Sequence, residues 1–116
     1  MSSTDPNLGL HYGWALGESG WDTGMNANLK RLGAVVGLCV KDRDLSTPPA
    51  TPANGDRYIV PAAATGAWAG KTNQLAVRLN ETWEYHTPQI GWLCYIEDEA
   101  KLSAFKPNGW SAGIAI

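Results

Sequence analysis

The residues with chemistry to offer are few and scattered. Glu97-Asp98-Glu99 is an acidic triplet that could hold a calcium ion through carboxylate oxygens, but the ligand spacing of an EF-hand is absent and a solvated turn is the better reading. Asp56, Glu81, Glu84 and His86 carry groups able to share acid–base work, as paired carboxylates do in glycosidases. Yet Glu84 and His86 fall on one face of a single strand, and no glycine-rich cleft accompanies them. Cys39 and Cys94 are the only cysteines, and His11 and His86 are not placed to complete a zinc site with them. Both thiols read as reduced, small buried hydrophobes rather than a bridge. A nucleophile elbow, a phosphate-cradling loop and a paired metal-ligand motif are all missing. The sequence therefore predicts no enzyme, with no catalytic, cofactor-binding or metal residue.

What the chain does concentrate is tryptophan, six in 116 residues against one phenylalanine. Most sit beside glycine or turn residues, as in Tyr12-Gly-Trp14, Gly20-Trp21, Trp68-Ala-Gly70, Trp83-Glu-Tyr85, Gly91-Trp92 and Gly109-Trp110. Tryptophan is a large amphipathic plate with an N–H to satisfy, and it is enriched where proteins meet flat partners. Many such plates without a catalytic cluster predict a protein that assembles or binds.

Charge narrows the partners. Nine basic and eleven acidic residues leave −2, with no basic run that would follow a phosphate backbone, so nucleic acid is not expected. Apolar stretches fall far short of the roughly 20 residues that cross a bilayer. The opening Met-Ser-Ser-Thr-Asp-Pro lacks the basic and apolar regions of a signal peptide, which predicts a product made in the cytoplasm and released, if at all, by lysis.

The elements that must position these residues fall into zones. Residues 1–19 read as an extended, glycine-interrupted arm whose aromatic side chains want burial. Residues 20–45 read as a helix and its connection, opened by a Ser19-x-x-Asp22 capping box. Met25, Leu29, Leu32, Val36 and Cys39 follow at spacings of four and three, forming one apolar stripe. The stripe either packs on the chain's own sheet, with Leu29 and Leu32 at the centre of the core, or also meets symmetry mates. Residues 46–56 form a stiff proline-rich connector ending in an Asn54-Gly55 turn. Residues 57–116 read as a β domain of short strands, with Trp92 to Ile96 a central strand covered on both faces.

A weak repeat lies in that domain. Leu75-Ala-Val-Arg-Leu-Asn-Glu-Thr-Trp83 aligns with Leu102-Ser-Ala-Phe-Lys-Pro-Asn-Gly-Trp110, each a strand, a tight turn and a tryptophan. The predicted fold class is α+β, mainly β: an extended arm and one helix followed by a small antiparallel β-meander.

Gly55-Asp-Arg-Tyr-Ile-Val60, Ala64-Thr-Gly-Ala-Trp-Ala-Gly70, Trp83-Glu-Tyr-His-Thr-Pro88 and Gly91-Trp-Leu-Cys-Tyr-Ile96 resemble a small domain of unknown function found in tail-fibre and other structural proteins of tailed phages, prophages and gene transfer agents. Tyr12-Gly-Trp14 and Gly20-Trp-Asp-Thr-Gly-Met-Asn-Ala-Asn-Leu29 are similar to an opening seen in such proteins. The resemblance implies a virion component assembled in the host cytoplasm, with fibre-like members expected to be trimers. Because the chain stops at Ile116, without a shaft or receptor-reading tip, it favours an attachment or adaptor role.

The leading expectation is a structural virion protein binding other tail or neck proteins, with Tyr12, Trp14 and Trp21 as the partner-binding residues. The arm bearing Tyr12 and Trp14 either docks on a partner or lids its own domain. The rival is a carbohydrate-binding module recognising a host surface glycan, which would need two or three coplanar, exposed tryptophans.

Overall fold

The computed structural model describes residues 2–116, which divide into two compact units, a first that ends at Val36 and a second, Gly37–Ile116. The architecture is the α+β, mainly β class expected: one helix and many short strands.

In the first unit the arm is a small hairpin. β1 (Ser3–Thr4) pairs antiparallel with β2 (His11–Tyr12). Asp5 shapes the connection, its carboxylate accepting the backbone N–H groups of Asn7, Leu8 and Leu10 at 2.6–2.9 Å. These bonds, first those from Leu8 and Leu10, hold the Asp5 carboxyl below its ordinary pKa.

The helix α1 runs from Trp21 to Val35. The expected capping box does not form: Gly20, at φ +88°, takes the N-cap position, and no side chain caps the helix. That displaces Ser19 from the cap and puts Asp22 in the first turn, where its charge meets the positive end of the helix dipole. The helix also stops earlier than the stripe implied. Val36 turns extended, its N–H donating to Leu32 O at 3.0 Å, and Gly37 follows at φ +62°, the left-handed conformation that terminates helices.

The second unit opens with β3 (Cys39–Val40), so Cys39 belongs to a strand and not to the helical stripe. β4 (Arg57–Ile59), β5 (Leu75–Leu79) and β6 (Thr82–His86) form an antiparallel meander. Between β4 and β5, a 3-10 turn at Gly66–Trp68 drives the Trp68 indole to full burial. There it meets Trp83 at 5.2 Å and Tyr58 at 5.5 Å between ring centroids, forming an aromatic core with Val60 and Ala76. Tyr85 closes the turn by donating its hydroxyl to Ala67 O at 2.6 Å.

The remaining strands are β7 (Leu93–Ile96), β8 (Lys101–Lys106), β9 (Gly109–Trp110) and β10 (Ile114–Ala115). Their sheet has the order β10-β8-β7-β3, with β9 pairing β8. β7 is central, but Cys94 and Ile96 are buried while Leu93 is exposed, so the strand alternates and only one face is covered. The β3–β7 pair is parallel, Cys39 opposite Tyr95 and Val40 opposite Ile96. Beyond β3 the chain bonds to β4, Lys41 N–H to Arg57 O and Ile59 N–H to Asp42 O, which stitches the two sheets together.

Candidate interaction surface

The helix of the first unit holds its hairpin with a polar face. Asn28 is buried and uses both ends of its amide on one residue: Oδ1 accepts the His11 N–H at 2.7 Å and Nδ2 donates to His11 O at 2.8 Å. One turn on, Arg31 Nη1 donates to Leu8 O at 3.0 Å. One turn back, the Trp14 ring lies where a Cβ on Gly24 would be. Gly24, Asn28 and Arg31 are spaced four and three, so they share a face.

The apolar stripe lies about 100° around the helix from that face. Contrary to the sequence expectation it is not a buried core stripe: Leu29 is 60% exposed, Met25 37% and Val36 64%, and Leu32 alone of the expected centre is half-buried. The helix residues that are buried are Asn28 and Ala34. Hydrogen bonds to the hairpin backbone, invisible to a hydrophobic pattern, decided which side faces in.

The three expected partner-binding residues all lie in this unit. Tyr12, in β2, is 55% exposed. Trp21, the first residue of α1, is 56% exposed and extends the stripe by one turn ahead of Met25. Trp14 is half-buried, with part of its ring in the place a Gly24 side chain would take. Sequence reasoning missed Asn28, whose only signal was a polar residue one position from the stripe.

In the second unit the acidic turn is divided between roles. Glu99 grips Arg43, Oε2 accepting from Nε and Oε1 from Nη2 at 2.8 Å each, and Arg43 goes on to donate to the carbonyls of Ser111 and Ala112. Pairing with Arg43 lowers the Glu99 pKa. Glu97 accepts the Cys39 thiol at 3.1 Å, and burial, then this bond, raises the Cys39 pKa. Asp98 instead converges with Asp42 and Asp44, their carboxylate oxygens within 4.8 Å of one another. Partial burial and then its acidic neighbours raise the Asp98 pKa. These three, rather than the triplet, are the carboxylates among the described residues spaced to hold a cation; two of them are exposed.

Of the other acid–base candidates, Glu84 and His86 lie in β6, with His86 buried. Asp56 accepts the Ala53 N–H and pairs with Lys41 at 3.5 Å, while Glu81 sits in the β5–β6 turn at φ +64°. Both cysteines are free, and burial pushes the Cys94 thiol up to about 12.

A family model for a protein of unknown function (DUF2793) matches residues 25–111. The chain belongs to this family. No curated protein matches it. The DUF2793 match begins within α1, so the whole stripe from Met25 to Val36 falls inside it, whereas Tyr12, Trp14 and Trp21 precede it.

Proposed function

We propose that the protein is a structural component of a tailed-phage virion, in a tail fibre, its attachment or a tail or neck adaptor, and that it acts by protein–protein assembly. The observation that carries this reading is the uncovered stripe of α1. A helix that turns a polar face to its own hairpin and leaves Trp21, Met25 and Leu29 in solvent is built to meet something else.

The occupant we assign to the stripe is further copies of this chain, associating as a trimer. Met25, Leu29 and Leu32 keep the four-three spacing of a heptad seam within α1, and the position beside them at Gly33 is open, so backbones can approach closely. Tyr12, with Trp14 and Trp21, supplies the aromatic contacts to other tail or neck proteins. The virion setting, with assembly in the host cytoplasm, is supported by the resemblance of the aromatic and glycine motifs. Neither a cofactor, nucleic acid nor membrane insertion enters this role.

The placement of the tryptophans supports assembly over an exposed glycan platform. Trp68 is fully buried, Trp83 packs against the core, and Trp21 alone of the six is largely exposed. Native mass spectrometry at tens of micromolar tests the reading. A trimer is expected for the wild type and a folded monomer for Leu29→Glu; a wild-type monomer overturns self-association. Deleting residues 1–16 should block incorporation into particles, and normal incorporation would remove the docking role of the arm.

A further inference from the structure

An open cleft of about 520 Å³ lies in the second unit, between the β8–β9 hairpin and the chain that follows β4. Its volume falls within the roughly 300–1,000 Å³ of small-ligand sites. Trp110 lines it together with Pro61, Asn73, Asn108, Asp44 and the Arg43–Glu99 pair.

The Trp110 plate is fixed. Its N–H donates to Asn73 O at 3.0 Å, and the Phe105 ring meets it edge-on, 5.2 Å away at 67°. With the donor already engaged, what remains for a ligand is ring surface. Asn73 is equally constrained. It sits at φ +69°, its N–H bonds Val60 O at 2.8 Å, and its amide lies 3.4 Å from where a Cβ on Gly109 would stand. Gly109, at φ +119°, holds a backbone conformation that favours glycine in the turn beside this amide.

The two amides differ from the other polar groups of the cleft. Neither the Asn73 nor the Asn108 side chain makes a hydrogen bond among the described residues, so each keeps both donors and an acceptor. Arg43, the cation lining the cleft, is instead committed to Glu99 and two carbonyls.

This inventory selects a ligand class. An anion would meet the Asp44 carboxylate and no free positive charge. A purely apolar ligand would strip water from two amides and return nothing, which costs about 1–3 kcal/mol for each group left unpaired. A sugar ring answers both demands, because one face of it is C–H and its vicinal hydroxyls donate and accept. We infer that the cleft walled by Trp110, Asn73 and Asn108 binds a neutral saccharide, stacked on the indole and held by the two amides. The site lies in the other unit from the assembly surface and stands or falls independently of it.

The test is a titration of the ¹⁵N-labelled full chain, followed by ¹H–¹⁵N correlation spectra. The probes are neutral oligosaccharides of glucose, galactose, mannose and N-acetylglucosamine, each taken to the ~10 mM range because a weak single-ring site sits near millimolar affinity. At least one should give saturable shifts at the Trp110 indole N–H and the side-chain amides of Asn73 and Asn108, with none at the Trp21 indole N–H. Asn108→Ala, in an exposed turn, should weaken the same sugar roughly threefold to tenfold. Trp110→Ala should abolish binding; if that variant loses spectral dispersion, Asn108→Ala decides. The inference fails if no probe saturates those three signals, if Trp21 responds equally, if Asn108→Ala binds unchanged, or if inorganic phosphate produces the same shifts.

Discussion

Asn28 holds the backbone of His11 as a neighbouring strand would, accepting its N–H and donating to its carbonyl from one side-chain amide. A two-stranded hairpin is marginal alone, and this pair of bonds ties its second strand to a helix. Asn28→Asp keeps the shape and the acceptor but loses the donor and adds charge. It should lower the stability of the chain by about 1–3 kcal/mol in urea unfolding. Asn26→Asp, exposed on the same helix, should change it by less than about 0.5 kcal/mol. Equal midpoints for the two variants would show that the His11 contact carries no weight.

Two glycines of α1 should respond with opposite sign to the same substitution. At Gly33 an added methyl meets nothing of its own chain within 4 Å, so at high dilution, where copies do not meet, Gly33→Ala should stabilise by up to about 1 kcal/mol through helix propensity. At Gly24 the methyl collides with the Trp14 indole. Gly24→Ala should therefore lose that gain and expel the ring, seen as a red shift and stronger quenching of tryptophan emission. A Gly24→Ala variant as stable as Gly33→Ala, with unchanged emission, would mean that Trp14 is not seated there.

The repeat was the most legible part of the fold. Arg78 and Phe105 occupy equivalent places in the two copies, and each pairs across its hairpin with the tryptophan five residues later, Trp83 and Trp110. Alternation, a two-residue turn and a bulky return residue are local signals, and the chain carried all of them. The parallel β3–β7 pair was not legible, because Cys39 and Val40 continue a helical spacing and their partner lies more than fifty residues away. The stripe is legible as apolar, yet apolarity alone does not say which covering surface it awaits. At the candidate surface, the arm's aromatics read as side chains that want burial, so the exposure of Tyr12 and Trp21 was no more legible than the grip of Asn28, which depends on the hairpin's backbone.

The Arg43–Glu99 pair should leave a mark on acid stability. Arg43 lowers the folded-state pKa of Glu99, so the unfolded chain takes up the proton first. The stabilisation is present above the unfolded value, near 4.5, and is lost as the pH falls through the lower folded value. Glu99→Gln removes this linkage. Between about pH 5 and pH 3 the wild type should lose more stability than Glu99→Gln, while at neutral pH the variant is the weaker. Parallel stability–pH curves would show that the pair is not formed.

Cys94 should be chemically silent while the chain is folded. It has no exposed surface, and burial holds its thiol near 12, far above the range in which thiolate forms at pH 8. A thiol reagent such as Ellman's should label Cys94 only after denaturant is added, with mass mapping to assign the site. Rapid labelling of Cys94 in the native protein would contradict its place on the buried face of β7.

Leu29 gives the sharpest separation between a stripe that is core and one that is interface. As core, Leu29→Ala would cost about 2–5 kcal/mol at any protein concentration. At 60% exposure it should instead change monomer stability by less than about 0.5 kcal/mol. Its effect should appear where copies meet. Association stabilises the folded state by mass action, so the wild-type Tm should rise with protein concentration. Leu29→Ala should flatten that rise, while Lys30→Ala, off the stripe, should leave it. Melting curves of the three proteins from about 1 to 100 µM separate the cases. A concentration-independent loss for Leu29→Ala would return the stripe to the core, and a flat wild-type curve would leave it with no second copy to meet.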